Sequence, residues 1–220
     1  LFNMTNIYYK KNGRIYNSFK FFWINMPYNT SILIACIIIG ILNKNIKRAI
    51  FTGTLLYLWA YAIHVIAHNI TPFTFFHGFH HNSKINQTWW AETIETFVNI
   101  FGSGGISLAI IGMIINKKYG IDLLDSHVLL FTTFLYTSFH MINYHILKVP
   151  THVNHHKDPN KNFGPDIMDI LFGTKMDGDS FEDMNHGILN VLVILSIILF
   201  TYNTRFDIIN NIENLIDYFL

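Results

Sequence analysis

The feature that most constrains this chain is a series of long apolar runs that charged residues hardly interrupt. The run SILIACIIIGIL, for example, ends an apolar stretch over residues 21–42. About 20 apolar helical residues are needed to cross the roughly 30 Å of a bilayer core. The composition agrees, because 51% of the residues are hydrophobic and only 13% are charged, against about a quarter charged in a soluble domain. We therefore predict an integral membrane protein.

Four segments are predicted to be transmembrane helices: residues 21–42, 49–67, 97–115 and 128–146. A fifth apolar segment, residues 188–202, has only about 15 residues, and its sequence leaves open whether it spans the membrane, lies in the interface or packs on the bundle. The predicted fold class is an all-α integral membrane helical bundle of four transmembrane helices, with a fifth as a candidate. We expect residues 1–220 to form one domain, with a hydrophobic C-terminal extension over residues 186–220.

The distribution of positive charge predicts which side of the membrane the loops face. If the four segments all span, residues 1–20, 68–96 and 148–185 lie on one side, which then holds nine of the 15 Lys and Arg residues. Cytosolic loops of membrane proteins carry the excess of Lys and Arg, so we expect this side to face the cytosol. The opening stretch TNIYYKKNGRIYNS is polar, and we expect no secretory signal peptide in it.

Charge and cysteine content exclude several classes of function. The formal net charge of +1 and the scattered lysines provide no basic surface, so no nucleic-acid partner is expected. Cys36 is the only cysteine in the sequence, which excludes a disulfide framework and a cysteine-based zinc site. A nitrogen-rich site must therefore be built from histidine.

Histidines are concentrated in two short windows on the predicted cytosolic side. Each window contains an HxxHH motif, HGFHH at residues 77–81 and HVNHH at residues 152–156, and neither window contains Asp or Glu. Residues three and four apart share a helical face. We therefore expect each motif to point its imidazoles at one spot, where neutral imidazole can bind iron, zinc, copper or nickel. The candidate ligands are His64, His68, His77, His80, His81, His140, His145, His152, His155 and His156.

The number of candidate ligands indicates two metal ions. A tetrahedral zinc site uses four ligands, whereas ten histidines suffice for two ions with about five ligands each. His140 and His145 are five residues apart, and we expect a π-bulge or an unwound helix end to bring them together. His127 and His186 lie outside the windows, and we interpret them as packed or interfacial residues.

With these motifs in place, the chain resembles the fatty acid hydroxylase and sterol desaturase superfamily over about residues 49–174. The stretch AIHVIAHNITPFTFFHGFHHNS is similar to the first histidine block of that family, and FHMINYHILKVPTHVNHHKDPNKNFGPDIMDILFGT is similar to the second. The resemblance implies two iron ions bound by the histidines, with zinc as a possible substitute on purification. It also implies O2-dependent hydroxylation or desaturation of a membrane lipid, which is a fatty acyl chain, a sphingolipid or a sterol.

The resemblance implies an external electron donor as a partner. The sequence contains no flavin or nicotinamide fingerprint, so a cytochrome b5-like protein or a reductase is expected to deliver the electrons. In a eukaryotic cell the expected location is the endoplasmic reticulum membrane, with the metal site facing the cytosol.

Residues around the ligands are also predicted. Ligating imidazoles need outer hydrogen-bond partners, and four polar residues of the second block are candidates: Asp158, Asn162, Asp166 and Asp169. The alternative role of the last two is helix capping. Gly164 and Gly173 are expected to permit turns. A separate group of residues is interpreted as interfacial anchors: Trp89, Trp90, Glu92 and Glu95.

Three other kinds of protein compete with the lipid oxidase. A haem protein would use pairs of histidines buried between transmembrane helices, and a metal transporter would place polar residues in the middle of its spans. A zinc hydrolase would need an HExxH motif, which the sequence lacks. The main alternative is therefore a histidine-rich membrane protein that binds or transports metal or haem without oxygenase activity.

Overall fold

A computed structural model describes residues 9–10, 13–82, 84–86 and 88–203. The other residues, which include residues 204–220 of the predicted C-terminal extension, lie outside this description. Within it the chain is helical and contains no β-strand. The α-helices are α1 (Arg14–Ile24), α2 (Met26–Leu42), α3 (Ile46–Asn69), α4 (Phe73–His81), α5 (Trp89–Val98), α6 (Ile106–Tyr119), α7 (Ser126–Met141), α8 (Pro150–Lys157), α9 (Asp166–Phe172) and α10 (Ile188–Asn203). A π-helical turn, Asn99–Ser103, joins α5 to α6, another, Ile142–Leu147, follows α7, and a 3-10 turn, Asn185–Gly187, precedes α10.

Three helical stretches are long and apolar enough to cross a membrane: Ile46–Asn69, Trp89–Tyr119 and Asn185–Tyr202. Helices α1 and α2 add a fourth crossing if they form one span, which is bent by 75° where they meet. The prediction of an all-α membrane bundle is thereby confirmed.

The fifth predicted segment, residues 188–202, lies within one of these stretches, Asn185–Tyr202. Its helix, α10, runs beside α2. At one end the Asn185 side chain donates a hydrogen bond to the Ile24 carbonyl (3.0 Å). At the other end the Tyr202 hydroxyl donates to the Leu42 carbonyl (3.0 Å). The sequence left the placement of residues 188–202 undecided. In the structure the stretch Asn185–Tyr202 extends along the predicted first span from Ile24 to Leu42.

Helix α7 carries most of the predicted fourth span, residues 128–146. In the described part of the chain this 16-residue helix is not one of the stretches that are long and apolar enough to cross a membrane by length and composition. Its hydroxyl residues lower its hydropathy, and the Thr133 hydroxyl donates to the Gly104 carbonyl (2.6 Å). Val128 and Phe131 are fully buried. Helix α7 thus lies inside the bundle, where a polar residue can find a partner on a neighbouring helix.

The apolar core joins α2, α7 and α10 through residues such as Tyr28, Phe131 and Ile198. Helices α2 and α3 approach each other closely, since a Cβ atom added at Gly40 would lie 2.7 Å from the Ile46 Cα atom. Small residues at helix contacts permit such backbone approach in membrane bundles. This packing fixes the frame on which the histidine-bearing helix ends are mounted.

The three segments predicted to share one side of the membrane meet at one end of the bundle. The Tyr9 amide donates to the Asp179 carbonyl (2.7 Å), and the Nε2 atoms of His68 and His155 lie 3.0 Å apart. We call this the histidine end of the bundle. The loops that carry the two HxxHH motifs are therefore close in space, although about 75 residues separate them along the chain.

Candidate metal centre

The ends of four helices deliver the histidines. Helix α3 carries His64 and His68 in its last two turns, α4 and α8 carry one HxxHH motif each, and His140 lies at the end of α7. Helix α8 begins at Pro150, because a proline at the first helical position gives up an N–H that has no partner within the helix. The helix termini bring the imidazoles together at the histidine end.

The imidazoles form two groups that could each hold a metal ion. The five-histidine group consists of His64, His68, His77, His81 and His155, whose ligand atoms all lie within 4.8 Å of one another. The second group consists of His80, His140, His152 and His156. The ligand atoms of His80, His81 and His156 also lie within 4.8 Å of one another, so the two groups are neighbours.

Each HxxHH motif serves both groups, and the expectation that each motif points at one spot is wrong. In α4 the pair four residues apart, His77 and His81, enters the five-histidine group, and His80 enters the second. In α8 the assignment is reversed: the pair four residues apart, His152 and His156, belongs to the second group, and His155 belongs to the five-histidine group. Consecutive helical residues are turned by about 100° from each other, so the adjacent histidines of a motif must face different places.

Ring nitrogens in the five-histidine group lie too close together to be satisfied by hydrogen bonds. The Nε2 atom of His77 is 3.1 Å from that of His64, 3.0 Å from that of His68 and 3.1 Å from that of His81. Each nitrogen of a neutral imidazole carries either one proton or one lone pair. A single Nε2 atom therefore cannot pair with three others, whereas a cation placed between them interacts with every lone pair.

The spacing of these nitrogens also bears on which metal fits. A metal–nitrogen bond of about 2.1 Å gives a nitrogen–nitrogen distance of about 3.0 Å at a right angle and about 3.4 Å at a tetrahedral angle. The observed distances of 3.0 and 3.1 Å agree with right angles. They fit the angles of five- or six-coordinate geometry better than those of tetrahedral geometry.

The second group has the same spacing but fewer members. The Nε2 atom of His156 lies 3.0 Å from that of His80 and 3.1 Å from that of His152. Tyr144 packs against this group, with its ring stacked on that of His156 at 4.9 Å. The group is thus a second set of nitrogens with ligand spacing, covered by an aromatic ring.

Backbone carbonyls orient two imidazoles of the five-histidine group. The Nδ1 atom of His64 contacts the carbonyl of Phe163, and Nδ1 of His155 lies 2.6 Å from the carbonyl of Lys161. Since a carbonyl only accepts, both Nδ1 atoms must carry the proton. Their Nε2 lone pairs are therefore free to bind a metal ion.

Two of the predicted outer residues hold the loop that supplies these carbonyls. The Asp169 carboxylate accepts hydrogen bonds from the Phe163 amide (3.0 Å), the Gly164 amide (2.6 Å) and the Thr174 hydroxyl (2.6 Å). The Asn162 side chain donates to the Thr151 carbonyl (3.2 Å). Gly164 and Gly173 have φ values of 68° and 76°, as expected for turns. Asp169 thus acts on His64 through the loop rather than directly.

The other two predicted outer residues have local partners. Asp166 forms an ion pair with the buried Lys175 (2.5 Å), and Asp158 accepts from the Asn160 amide (3.1 Å). In the described part of the chain, no hydrogen bond or ion pair joins any of the four predicted outer side chains to an imidazole.

The carboxylates that approach imidazoles come from α5 instead. The two Glu95 oxygens lie 2.6 Å from His80 Nδ1 and 3.2 Å from His140 Nδ1, and the Glu95 side chain is 7% exposed. The interpretation of Glu95 as an interfacial anchor is therefore wrong, whereas Trp89, 78% exposed, has the exposure of one. The available signal was an acidic residue within an apolar helix, which marks a functional site more often than a packing position.

His145 does not join either group in the described structure. Its Nδ1 atom faces Glu92 at 3.5 Å and its side chain is 25% exposed, although the predicted π-helical turn is present at Ile142–Leu147. His127 and His186 lie outside both groups, as predicted. The first contacts the Asn43 side chain (3.3 Å) at the opposite end of the bundle, and the second contacts the Asn143 side chain (2.9 Å).

Burial keeps the imidazoles in the form that binds metal. Burial and the neighbouring imidazoles lower the pKa of His77 to about 2, and burial and His155 lower the pKa of His156 to about 4. Metal binding needs the neutral form of histidine. At neutral pH these side chains therefore present lone pairs, and no proton has to be displaced.

A cavity of about 160 Å³ lies next to both groups. His64 of the five-histidine group and His140 and His152 of the second line it, together with apolar residues such as Leu56 and Leu135. Eight residues separate Leu56 from His64 on α3, which is about 12 Å along the helix. The cavity thus leads from the imidazoles into the apolar interior of the bundle.

Comparison with known proteins identifies one family. The family model described as fatty acid hydroxylase matches residues 49–174, which is more than half of the chain. No curated protein and no solved structure matches. The matched range contains all ten predicted ligands and also Glu95.

Proposed function

Because the chain belongs to the fatty acid hydroxylase family, we propose that it is an O2-dependent hydroxylase or desaturase of a membrane lipid. The observation that supports this most directly is the pair of histidine groups beside a cavity that leads into the apolar bundle. The five-histidine group and the second group would each hold one iron ion. When bound, the two iron ions would provide the redox chemistry that oxidises a C–H bond. Zinc has a single redox state and cannot provide it.

The residues around the ligands prepare this site. The loop carbonyls of Lys161 and Phe163 hold the Nδ1 protons of His155 and His64, which leaves each Nε2 atom free for the metal. The apolar part of the cavity wall, which includes Leu56 and Leu135, would keep water away from the C–H bond that is oxidised and so prevent side reactions. The protein therefore contributes orientation and a dry environment.

The size of the cavity favours a straight acyl chain as substrate. A cavity of about 150 Å³ lined by apolar residues holds a molecule of the size of benzene, and the cavity here is about 160 Å³. It accommodates a few carbons of an acyl chain but not the four rings of a sterol. We propose a fatty acyl chain, free or within a sphingolipid.

Electrons would come from a separate donor at the histidine end, either a cytochrome b5-like protein or a reductase. The excess of Lys and Arg at this end supports a cytosolic orientation, in the endoplasmic reticulum if the source is a eukaryote. Tags inserted near Lys161 and near Lys118 should report opposite sides of the membrane, with Lys161 on the cytosolic side. A luminal Lys161 would contradict this orientation.

The reaction is tested by incubating membranes that contain the protein with acyl lipids and a reducing system. Oxidised or desaturated lipid should form in air and should not form under anaerobic conditions or with His155→Ala. Mass spectrometry of the lipid extracts measures both products. Full activity without O2 would contradict the proposal, and bound metal without any lipid product would favour a metal-binding or transport protein.

A further inference from the structure

Glu95 contacts histidines of only one of the two groups. We propose that it is a positioning residue that sets the metal affinity of the second group and leaves that of the five-histidine group unchanged. The inference rests on the proposed function, because it assumes that both groups hold iron.

The carboxylate bridges two imidazoles that come from different helices. His80 lies on α4 and His140 at the end of α7, while Glu95 lies on α5. The two oxygens of Glu95 approach the two Nδ1 atoms separately, at 2.6 and 3.2 Å. One side chain can therefore fix the orientation of two rings at once.

Three of these four atoms are buried and otherwise unsatisfied in the described structure, although the Asn99 side chain also lies close to Glu95. The Nδ1 atoms of His80 and His140 and one Glu95 oxygen are buried and make no aligned hydrogen bond with any described residue. A buried polar atom without a partner costs about 1–3 kcal/mol. The two imidazoles are stabilised most when each donates a hydrogen bond from its Nδ1 atom to the carboxylate. This arrangement leaves both Nε2 lone pairs available to a metal ion.

The five-histidine group does not depend on Glu95. The outer partners of His64 and His155 are the carbonyls of the loop at 161–163, and no described contact joins Glu95 to a member of that group. Loss of the carboxylate should therefore affect one metal position. A structural role of Glu95 in holding the bundle together would instead affect both positions.

Glu95→Gln separates these cases because it keeps the size of the side chain. A carboxylate accepts a hydrogen bond on each oxygen, whereas an amide accepts on one and donates from the other, so one imidazole loses its partner. Glu95→Ala removes both partners. Loss of an outer partner typically weakens metal binding by about 10–100-fold, and Ala should weaken it more than Gln.

The matched control is Glu92→Gln, one turn earlier on α5, where the side chain is 41% exposed and faces His145, which is outside both groups. Purified protein is dialysed anaerobically against a series of free Fe2+ concentrations, and iron per protein is measured. Wild type and Glu92→Gln should reach two ions. Glu95→Gln should hold one ion at concentrations where wild type holds two, and should take up the second only at about 10–100-fold higher Fe2+.

Each outcome has a distinct meaning. Two ions in Glu95→Gln at the same Fe2+ as wild type would overturn the inference, and so would an equal loss of both ions. Retention of the first ion also shows that the variant is folded. If wild type itself bound no iron, the proposed function would fail, and that result is visible without any Glu95 variant.

Discussion

The five-histidine group and the second group have similar nitrogen spacing but are held by different outer partners. Neutral peptide carbonyls of one loop orient His155, which is six residues from its partner Lys161, and His64, which is 99 residues from its partner Phe163. A buried carboxylate of α5, Glu95, approaches His80 and His140. From this difference we expect one proposed metal position to depend on the conformation of a loop and the other on the charge of one side chain. The following variants break or sharpen that comparison.

The largest effects are expected from ligand variants in either group. His155→Ala removes a nitrogen from the five-histidine group and His152→Ala removes one from the second. Each variant should lose at least one of two metal ions, and lipid turnover should fall by more than about 100-fold, beyond what loss of an outer partner costs. The measurements are metal per protein and product formed.

Two histidines serve as controls for these variants. His127→Ala and His186→Ala lie outside both groups, so metal content and turnover should stay near wild type. Expression level checks folding in all four variants. If His155→Ala kept its metal and its turnover, the five-histidine group would not be a metal site.

A smaller and selective effect is expected for Asp169→Ala. Without the carboxylate, the amides of Phe163 and Gly164 lose their acceptor, and the loop that orients His64 and His155 is released. Metal affinity of the five-histidine group should fall by about 10–100-fold, while the second group keeps its ion. This is the counterpart of the loss expected for Glu95→Gln.

Asp158→Ala is the matched control, because its carboxylate accepts only from the Asn160 amide within its own turn among the contacts described. Iron per protein should distinguish the two variants in the same anaerobic titration. Loss of both ions in Asp169→Ala would show that the loop supports both groups, and the comparison between them would no longer hold.

His145→Ala tests whether the second group is complete with four imidazoles. The ring faces Glu92 and is partly exposed, so we expect two ions to remain and turnover to fall by less than about tenfold, the lower limit for loss of an outer partner. Loss of one ion on titration with Fe2+ would instead restore His145 as a ligand and give each group five.

Helical periodicity accounts for what could be predicted from the sequence. The spans and the two HxxHH motifs are local patterns, and residues three and four apart on a helix must be neighbours. The division of each motif between two groups could also have followed from the 100° turn between adjacent residues. The spacing of three and four residues alone does not show this division, because it places both histidines of each adjacent pair on a shared face with the first histidine of the motif.

Glu95 and α7 could not be placed in this way, because their roles depend on packing between helices. Glu95 meets His80 and His140 only once α4, α5 and α7 have assembled. The hydroxyl groups of α7 lower its hydropathy but find partners such as the Gly104 carbonyl. These partners of Glu95 and of the α7 hydroxyl groups lie outside the helix concerned, too far along the chain for helical periodicity to predict the contacts.

The smallest effect on metal is expected for Glu182→Gln, a buried carboxylate that lines the cavity and accepts from the Asn143 side chain (2.5 Å). No described contact joins it to an imidazole, so iron per protein should stay at two. Burial, reinforced by the nearby Asp166, raises the pKa of Glu182 to about 8. The folded protein therefore keeps a proton that the unfolded chain releases above a pKa of about 4.3.

The stability supplied by this retained proton is present below about pH 4.3 and is lost as the pH rises to about 8. Gln cannot titrate, and its carbonyl oxygen still accepts from Asn143. The thermal midpoint of wild type should therefore fall more between pH 5 and pH 8 than that of Glu182→Gln. Equal falls would contradict the raised pKa. If Glu182→Gln also lost iron, the cavity wall would contribute to metal binding. The loop that orients His64 and His155, and Glu95, would then not be the only outer supports of the two groups.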